Sequence, residues 1–226
     1  MLKKYSNLPK EFQNKKVLKY YEILKKKRLY LVFKRLFDII GSLILLIMLS
    51  PVFLVLAIMI KLDSKGPVFY RQERITKYGK VFRIFKFRTM VDGADKKGSL
   101  VTVNNDSRIT KVGAKIRNSR LDEIPQLINV LLGDMSFVGT RPEVKKYVDK
   151  YTEEMYATLL LPAGVTSKAS INYKDEAKII EKYEGKMAVD DIYMKKVLPE
   201  KMKYNLEYIE KIGFFEDLKT CIKTII

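Results

Sequence analysis

The spacing of apolar residues changes character three times along the chain. In residues 17–35, VLKYYEILKKKRLYLVFKR, apolar side chains recur every three to four positions (Val17, Tyr20, Tyr21, Leu24, Leu31) among lysines. That period marks one face of an α-helix. It predicts a basic amphipathic helix, suited to an anionic membrane surface or to capping the fold with a solvated outer face. From Ile39 to Ile60 polar positions almost vanish, leaving 22 consecutive uncharged residues. A bilayer core needs ~20 such residues in one helix. Ser50-Pro51 interrupts the middle, and a proline there removes a helix hydrogen bond and kinks the chain. A kinked spanning helix and a re-entrant helix that breaks at Ser50-Pro51 and returns both satisfy this pattern. Either way, the Ser50 hydroxyl can bond a carbonyl freed by the break. Asp38 follows Lys34 by four residues and Arg35 by three, so it can pair near the interface.

After Asp63 the runs shorten. GPVFYRQERIT and KVFRIFKFRTM flank KYG and predict a strand–turn–strand unit. On the second run Lys86 and Arg88 fall on one strand face and Phe85 and Phe87 on the other. Two cations on one face can clamp a phosphate, or can form the solvated side of a half-buried strand. Residues 91–106, VDGADKKGSLVTVNND, are polar and predict a loop. In RITKVGAKIRNSR, Ile109, Val112 and Ile116 form a helical stripe facing a core or a membrane. In SRLDEIPQLINVLLGDMSFVGTRPE, Pro125 suits a first helical turn and Gly133 a stop, which puts Asp122 and Glu123 at a helix N-terminus. There they complement the helix dipole, and Ser119 with Asp122 fits a loose capping box. The tail predicts helices over VKKYVDKYTEEMYATLLL and PEKMKYNLEYIEKIGFFEDLKTCIKTII, with LPAGVTSKASINYKDE as a turn-rich stretch between them.

Charge narrows the chemistry. The net charge of +18 implies an anionic partner: phospholipid, nucleic acid or a phosphorylated substrate. Residues 1–35 hold twelve Lys/Arg against two acids. Lys34 and Arg35 precede the apolar run, and Lys61 and Lys65 follow it, so the positive-inside bias asks for both ends on the cytoplasmic side. The chain has no histidine and one cysteine, Cys221. That excludes His-based triads, His metal sites, intrachain disulfides and Cys-rich metal sites. Acid–base and nucleophilic chemistry falls to Asp, Glu, Lys, Tyr or Ser. Dinucleotide-binding, P-loop and metal-cluster motifs are absent from the sequence.

From about Lys34 to the C-terminus the chain resembles the bacterial sugar transferases of the monotopic phosphoglycosyl transferase family. The resemblance rests on KRLFDII leading into the Ser-Pro break, GPVFYRQERI, FKFRTM, LDEIPQLINVLLGDMSFVGTRP and YIEKIGFFEDLKTCIKTI, in that order. It implies transfer of a sugar 1-phosphate from a nucleoside diphosphate sugar, usually a UDP-sugar, to undecaprenyl phosphate. UMP is released, Mg²⁺ is required, and the step initiates synthesis of a surface glycan: exopolysaccharide, capsule, O-antigen or glycoprotein. It further implies a re-entrant helix, a catalytic domain on the cytoplasmic face of the bacterial inner membrane, and contact with membrane lipid. Asp122 carries over as the covalent nucleophile and Glu123 as the residue linked to Mg²⁺ and catalysis.

The residues fit that chemistry. A carboxylate with pKa near ~4 is ionised at neutral pH without a histidine to deprotonate it. Attack on phosphorus gives an acyl phosphate, reactive enough to pass its phosphoryl group to a lipid phosphate. Because anion attacks anion, Mg²⁺, a helix N-terminus and basic side chains must offset the charge. Lys86, Arg88 and Arg141 are the expected substrate-phosphate ligands.

The expected fold is α+β and mostly helical. It comprises a basic N-terminal segment (1–33), a re-entrant membrane helix (34–62) and a small cytoplasmic catalytic domain (63–226) with amphipathic interfacial helices. A homodimer is among the expected assemblies, and nucleic acid is not an expected partner. Three departures from the family pattern stand out: Thr140 before Arg141-Pro142, Leu161 where relatives carry a phosphate-holding arginine, and Asn205 where relatives often carry an acid. An inactive membrane-bound scaffold and a membrane-tethered nucleic-acid binder are the alternative readings.

Overall fold

The structure is a computed structural model that describes residues 2–94, 106–173, 176–183 and 185–225. Most of the loop expected over 91–106 therefore lies outside the described residues. The architecture is α+β and predominantly helical, with two small two-stranded sheets.

The N-terminal helix α1 (Lys15–Lys26) is capped by Asn14, whose side chain accepts from the Val17 amide. Its periodic face, Val17, Tyr20, Tyr21 and Leu24, is buried in the main core together with Leu8 and Phe12. The stretch 17–35 is not one helix. It breaks at Lys27 (φ −98°, ψ 15°), where α1 ends and α2 (Arg28–Met48) begins. Before the break the apolar face points into protein. After it, Leu29, Val32, Phe33, Leu36 and Phe37 point outward.

Helix α2 ends at Leu49 and α3 (Ser50–Asp63) starts at once, bent from it by 61°. Pro51 sits in the first turn of α3. Its missing N–H frees the Ile47 carbonyl, and the Ser50 hydroxyl donates to that carbonyl at 2.8 Å. Among the described residues no single helix is long and apolar enough to cross a membrane, and the bent pair qualifies only jointly, by length and composition.

Strands β1 (Phe69–Ile75) and β2 (Val81–Phe87) pair antiparallel around the turn Lys77–Gly79, as the alternation predicts. Helix α4 (Lys111–Asn118) follows, with Ile116 packed on Phe87 and on Leu56 and Ile60 of α3, so its stripe faces a core. Gly113 makes this approach feasible: a Cβ there would lie 2.0 Å from the Thr89 carbonyl oxygen. Helix α5 (Gln126–Leu132) ends at Gly133 in the left-handed region (φ 89°), the expected stop.

The second sheet was not legible from periodicity. β3 (Met135–Val138) and β4 (Ala163–Thr166) pair in parallel, and the latter lies inside the expected turn-rich stretch. The long helix expected from Val144 is shorter too: α6 covers only Lys145–Val148, followed by a 3₁₀ turn at Met155–Leu160. The short helices α7 (Lys168–Asn172), α8 (Glu176–Tyr183) and α9 (Val189–Ile192) lead to α10 (Leu198–Lys211) and α11 (Phe214–Ile225).

Polar contacts from four of its side chains bolt α2 onto this body. Arg35 donates to the carbonyls of Val130 (2.6 Å) and Leu131 (2.9 Å) at the C-terminus of α5. Asp38, instead of pairing with its own helix's cations, accepts from Ser136 Oγ (3.1 Å) and the Phe137 amide (3.0 Å). Lys34 pairs with Asp217 of α11, which also accepts from the Tyr30 and Tyr208 hydroxyls.

Candidate active site

Strand β2 ends next to the turn that carries the two adjacent acids. Asn129, buried in α5, links them: its Oδ1 accepts from the Phe85 amide (2.8 Å) and its Nδ2 donates to the Arg83 carbonyl (3.0 Å). This staple sets α5 against the strand bearing Lys86. A polar residue inside the apolar run LINVLL was the available sequence signal for it.

Asp122 and Glu123 do not occupy the first turn of α5. They form a separate 3₁₀ turn, Leu121–Glu123, set off from α5 by Ile124 and Pro125. The capping reading does not hold: no side chain caps this turn, and the Ser119 hydroxyl donates back to the carbonyls of Lys115 and Ile116. The turn is entered through Arg120 at φ 54°, the left-handed region that non-glycine residues seldom adopt. Lys86 Nζ donates to Glu123 Oε1 at 2.7 Å, a half-buried charge pair.

The environment separates the two acids electrostatically. Burial pushes the Asp122 carboxyl above the usual range; Lys86 pulls it back, the neighbouring Glu123 charge raises it again, and Arg117 lowers it. Burial also acts to raise Glu123. There the charge and hydrogen bond of Lys86, with Arg141 and then Arg120, win, and its carboxyl ends below the usual range. The two adjacent carboxyls are thus shifted in opposite directions, Asp122 toward the more basic and Glu123 toward the more acidic side.

Arg141 lies on the loop after β3. Its amide donates to Asn205 Oδ1 (3.3 Å) and its Nη1 to Ser170 Oγ (2.8 Å), so α10 and α7 hold it close enough to act on Glu123. Arg88 goes elsewhere. Its buried guanidinium donates to the carbonyls of Lys65 (2.5 Å), Ser64 (2.8 Å) and Ile60 (3.5 Å), contacts that the expected phosphate role does not account for. The Arg88 amide still bonds the Val68 carbonyl at 2.9 Å, in register with β1, while its side chain reaches the carbonyls at the C-terminus of α3. Leu161 is buried in the core. Sequence reasoning missed Arg117 and Arg120 as members of the site, although both stand within five residues of Asp122.

The arrangement offers two adjacent carboxylates, one bonded to Lys86 and both within the electrostatic reach of arginines among Arg117, Arg120 and Arg141. Such a site suits a phosphorylated substrate. Comparison with known proteins agrees. The chain is 40% identical over 169 residues to a UDP-glucose:undecaprenyl-phosphate glucose-1-phosphate transferase of Klebsiella pneumoniae, covering 73% of this chain and 36% of that protein. It is 34% identical over 201 residues to a UDP-N-acetylgalactosamine-undecaprenyl-phosphate N-acetylgalactosaminephosphotransferase of Aeromonas hydrophila, covering 87% of this chain and 44% of that protein. The chain thus spans less than half the length of these two relatives. It is 34% identical to the uncharacterized sugar transferase EpsL of Bacillus subtilis (strain 168), over 86% of each. A family model described as bacterial sugar transferase matches residues 29–226, nearly the whole chain, and the chain belongs to that family.

Proposed function

We propose that this chain transfers a sugar 1-phosphate from a UDP-sugar to undecaprenyl phosphate, the chemistry named in its relatives. The observation that carries the reading is the Asp122-Glu123 turn, which caps no helix and is pinned to Lys86. An Asp122 carboxylate oxygen attacks the sugar-linked phosphorus, the bond from that phosphorus to the bridging oxygen breaks, and UMP leaves with that oxygen. The resulting aspartyl phosphate carries the sugar. An oxygen of undecaprenyl phosphate then attacks the same phosphorus and displaces the Asp122 carboxylate. Lys86 holds Glu123 and lowers the cost of negative charge at the turn. Arg141, Arg120 and Arg117, whose charges act on the acid pair, would offset the charge of the donor diphosphate.

Mg²⁺ would fit here with its coordination shared between the Glu123 carboxylate and the substrate phosphates. Among the described residues no group of three carboxylate, His or Cys side chains gathers. Mg²⁺ commonly takes one or two carboxylates and completes its shell with substrate phosphates and water. With Oε1 bonded to Lys86, Glu123 would offer Oε2. When bound, the ion supplies neutralisation of the diphosphate charge.

The bent pair α2–α3 is the membrane element of this reading, entering and leaving on the cytoplasmic face of the bacterial inner membrane. Its exposed apolar side chains and the exposed Lys61 and Lys65 at its exit support this. The test is UMP release from a panel of UDP-sugars, with and without undecaprenyl phosphate and Mg²⁺. Asp122→Asn is expected to reduce it by at least about 10³-fold while leaving the fold intact, because the amide cannot form the acyl phosphate. Near-normal UMP release by this variant would remove Asp122 from the role.

A further inference from the structure

The cations that the sequence places at the entry to the apolar helix are not free. Lys34 is paired with Asp217, and Arg35 bonds the C-terminal carbonyls of α5. The apolar face of α1 is not free either, because it is buried in the protein core. What remains outward at this end is the run Lys25, Lys26, Lys27 and Arg28, exposed at all four positions and centred on the α1–α2 break. Lys25 has a surface pair with Glu22, while Lys26, Lys27 and Arg28 have no carboxylate partner among the described residues. No acid occurs between Glu22 and Asp38. One residue beyond the run begins the outward apolar face of α2, where Leu29 is 71% exposed. The matched family range starts at residue 29, so the first helix and this run lie outside it.

We propose that Lys25, Lys26, Lys27 and Arg28 form a clamp for anionic phospholipid headgroups at the mouth of the membrane element. The proposal rests on the membrane reading of α2–α3 and adds a lipid preference to it. The geometry specifies the mode of binding. With its apolar residues turned into the core, α1 cannot insert, so the contact is electrostatic and lies at headgroup depth. The apolar face of α2 beside it brings the four cations to the bilayer surface, where each attracts an anionic lipid. Lys61 and Lys65, exposed at the exit of α3, place charge of the same sign at the other end.

The experiment uses the full chain in detergent, diluted into preformed vesicles of phosphatidylcholine alone or mixed with phosphatidylglycerol, and recovered by flotation. Recovery with the mixed vesicles is expected to exceed that with phosphatidylcholine by on the order of tenfold at low salt, and the excess is expected to vanish at high salt. Changing Lys25, Lys26, Lys27 and Arg28 together to Gln is expected to abolish the preference and leave UMP release in detergent unchanged. A control changes Lys145, Lys150, Lys203 and Lys211 to Gln, four exposed lysines elsewhere, and is expected to retain the preference. Equal loss in both variants would assign the effect to net charge and overturn the clamp. Equal recovery of the unaltered chain by both vesicle types would overturn it as well. Recovery with neither would defeat the membrane reading itself, while the UMP assay would still test the chemistry separately.

Discussion

Helix α1 and the bent pair α2–α3 are neighbours in the chain, and both carry apolar residues beside dense positive charge. They place those residues in opposite directions. Val17 and Leu24 of α1 have no measurable exposure, whereas Phe37 of α2 is 67% exposed and Leu54 of α3 64%. Periodicity marks a helix as amphipathic but does not name what covers its apolar side. For α1 the cover is the Met155–Leu160 turn and α10 of the same chain. For α2–α3 much of the outward face is left uncovered by the described residues. The cations divide in the same way. Lys86 and Arg88 stand two apart, yet one meets the Glu123 carboxylate and the other bonds carbonyls at the end of a helix.

The largest test of this contrast is a matched pair of truncations. Leu24→Ala is expected to destabilise the protein by about 2–5 kcal/mol, because it opens a cavity in the core. Leu54→Ala is expected to change stability in detergent by less than about 0.5 kcal/mol. Thermal unfolding of the two variants reads the difference, and equal losses would erase the distinction between the helices.

Arg35→Gln is expected to cost about 1.5–3 kcal/mol, since it breaks charged hydrogen bonds to the last carbonyls of α5. Denaturant unfolding measures this. A neutral outcome would mean that α2 is not braced through Arg35.

Lys86→Gln sharpens the contrast between the two cations. Lys86 favours the ionised form of both acids, so its removal raises both carboxyl pKa values. In the proposed reaction Asp122 attacks only when ionised. The acid limb of the UMP-release rate is therefore expected to move to higher pH. An unmoved limb, with activity otherwise reduced, would give Lys86 a purely structural part.

The smallest effect is expected from Ser50→Ala, about 1 kcal/mol, from leaving the Ile47 carbonyl without its hydroxyl donor. A change in stability indistinguishable from zero would show that other groups satisfy the bend.

Local features were legible in the sequence. The break at Ser50-Pro51 was visible because a proline acts on its own helix, and the Ser50 bond follows from the carbonyl the proline frees. The β1–β2 hairpin was visible because strands a turn apart need only alternation and a short link. The acid pair stood out through the block around it. Strands β3 and β4 were not visible. Each has four residues, and their pairing joins Met135 to Ala163 across intervening helices and turns. The capping reading of Asp122 was reasonable from spacing, and it failed because α5 starts three residues after Glu123.

By itself the sequence determined the family, the acid pair, the excess of positive charge and the position of the helix break, all of which depend on residue identity and near neighbours. Tertiary structure alone decided that α1 faces the core, that Lys34 and Arg35 brace α2 from within, and that Arg88 bonds the carbonyls at the end of α3 while the charges of Arg117 and Arg120 act on the acid pair. Those outcomes depend on which distant carbonyl, carboxylate or apolar surface a side chain meets. A cation adjacent to a strand end or helix mouth is drawn to the nearest unsatisfied acceptor, and only the packed fold determines which acceptor that is.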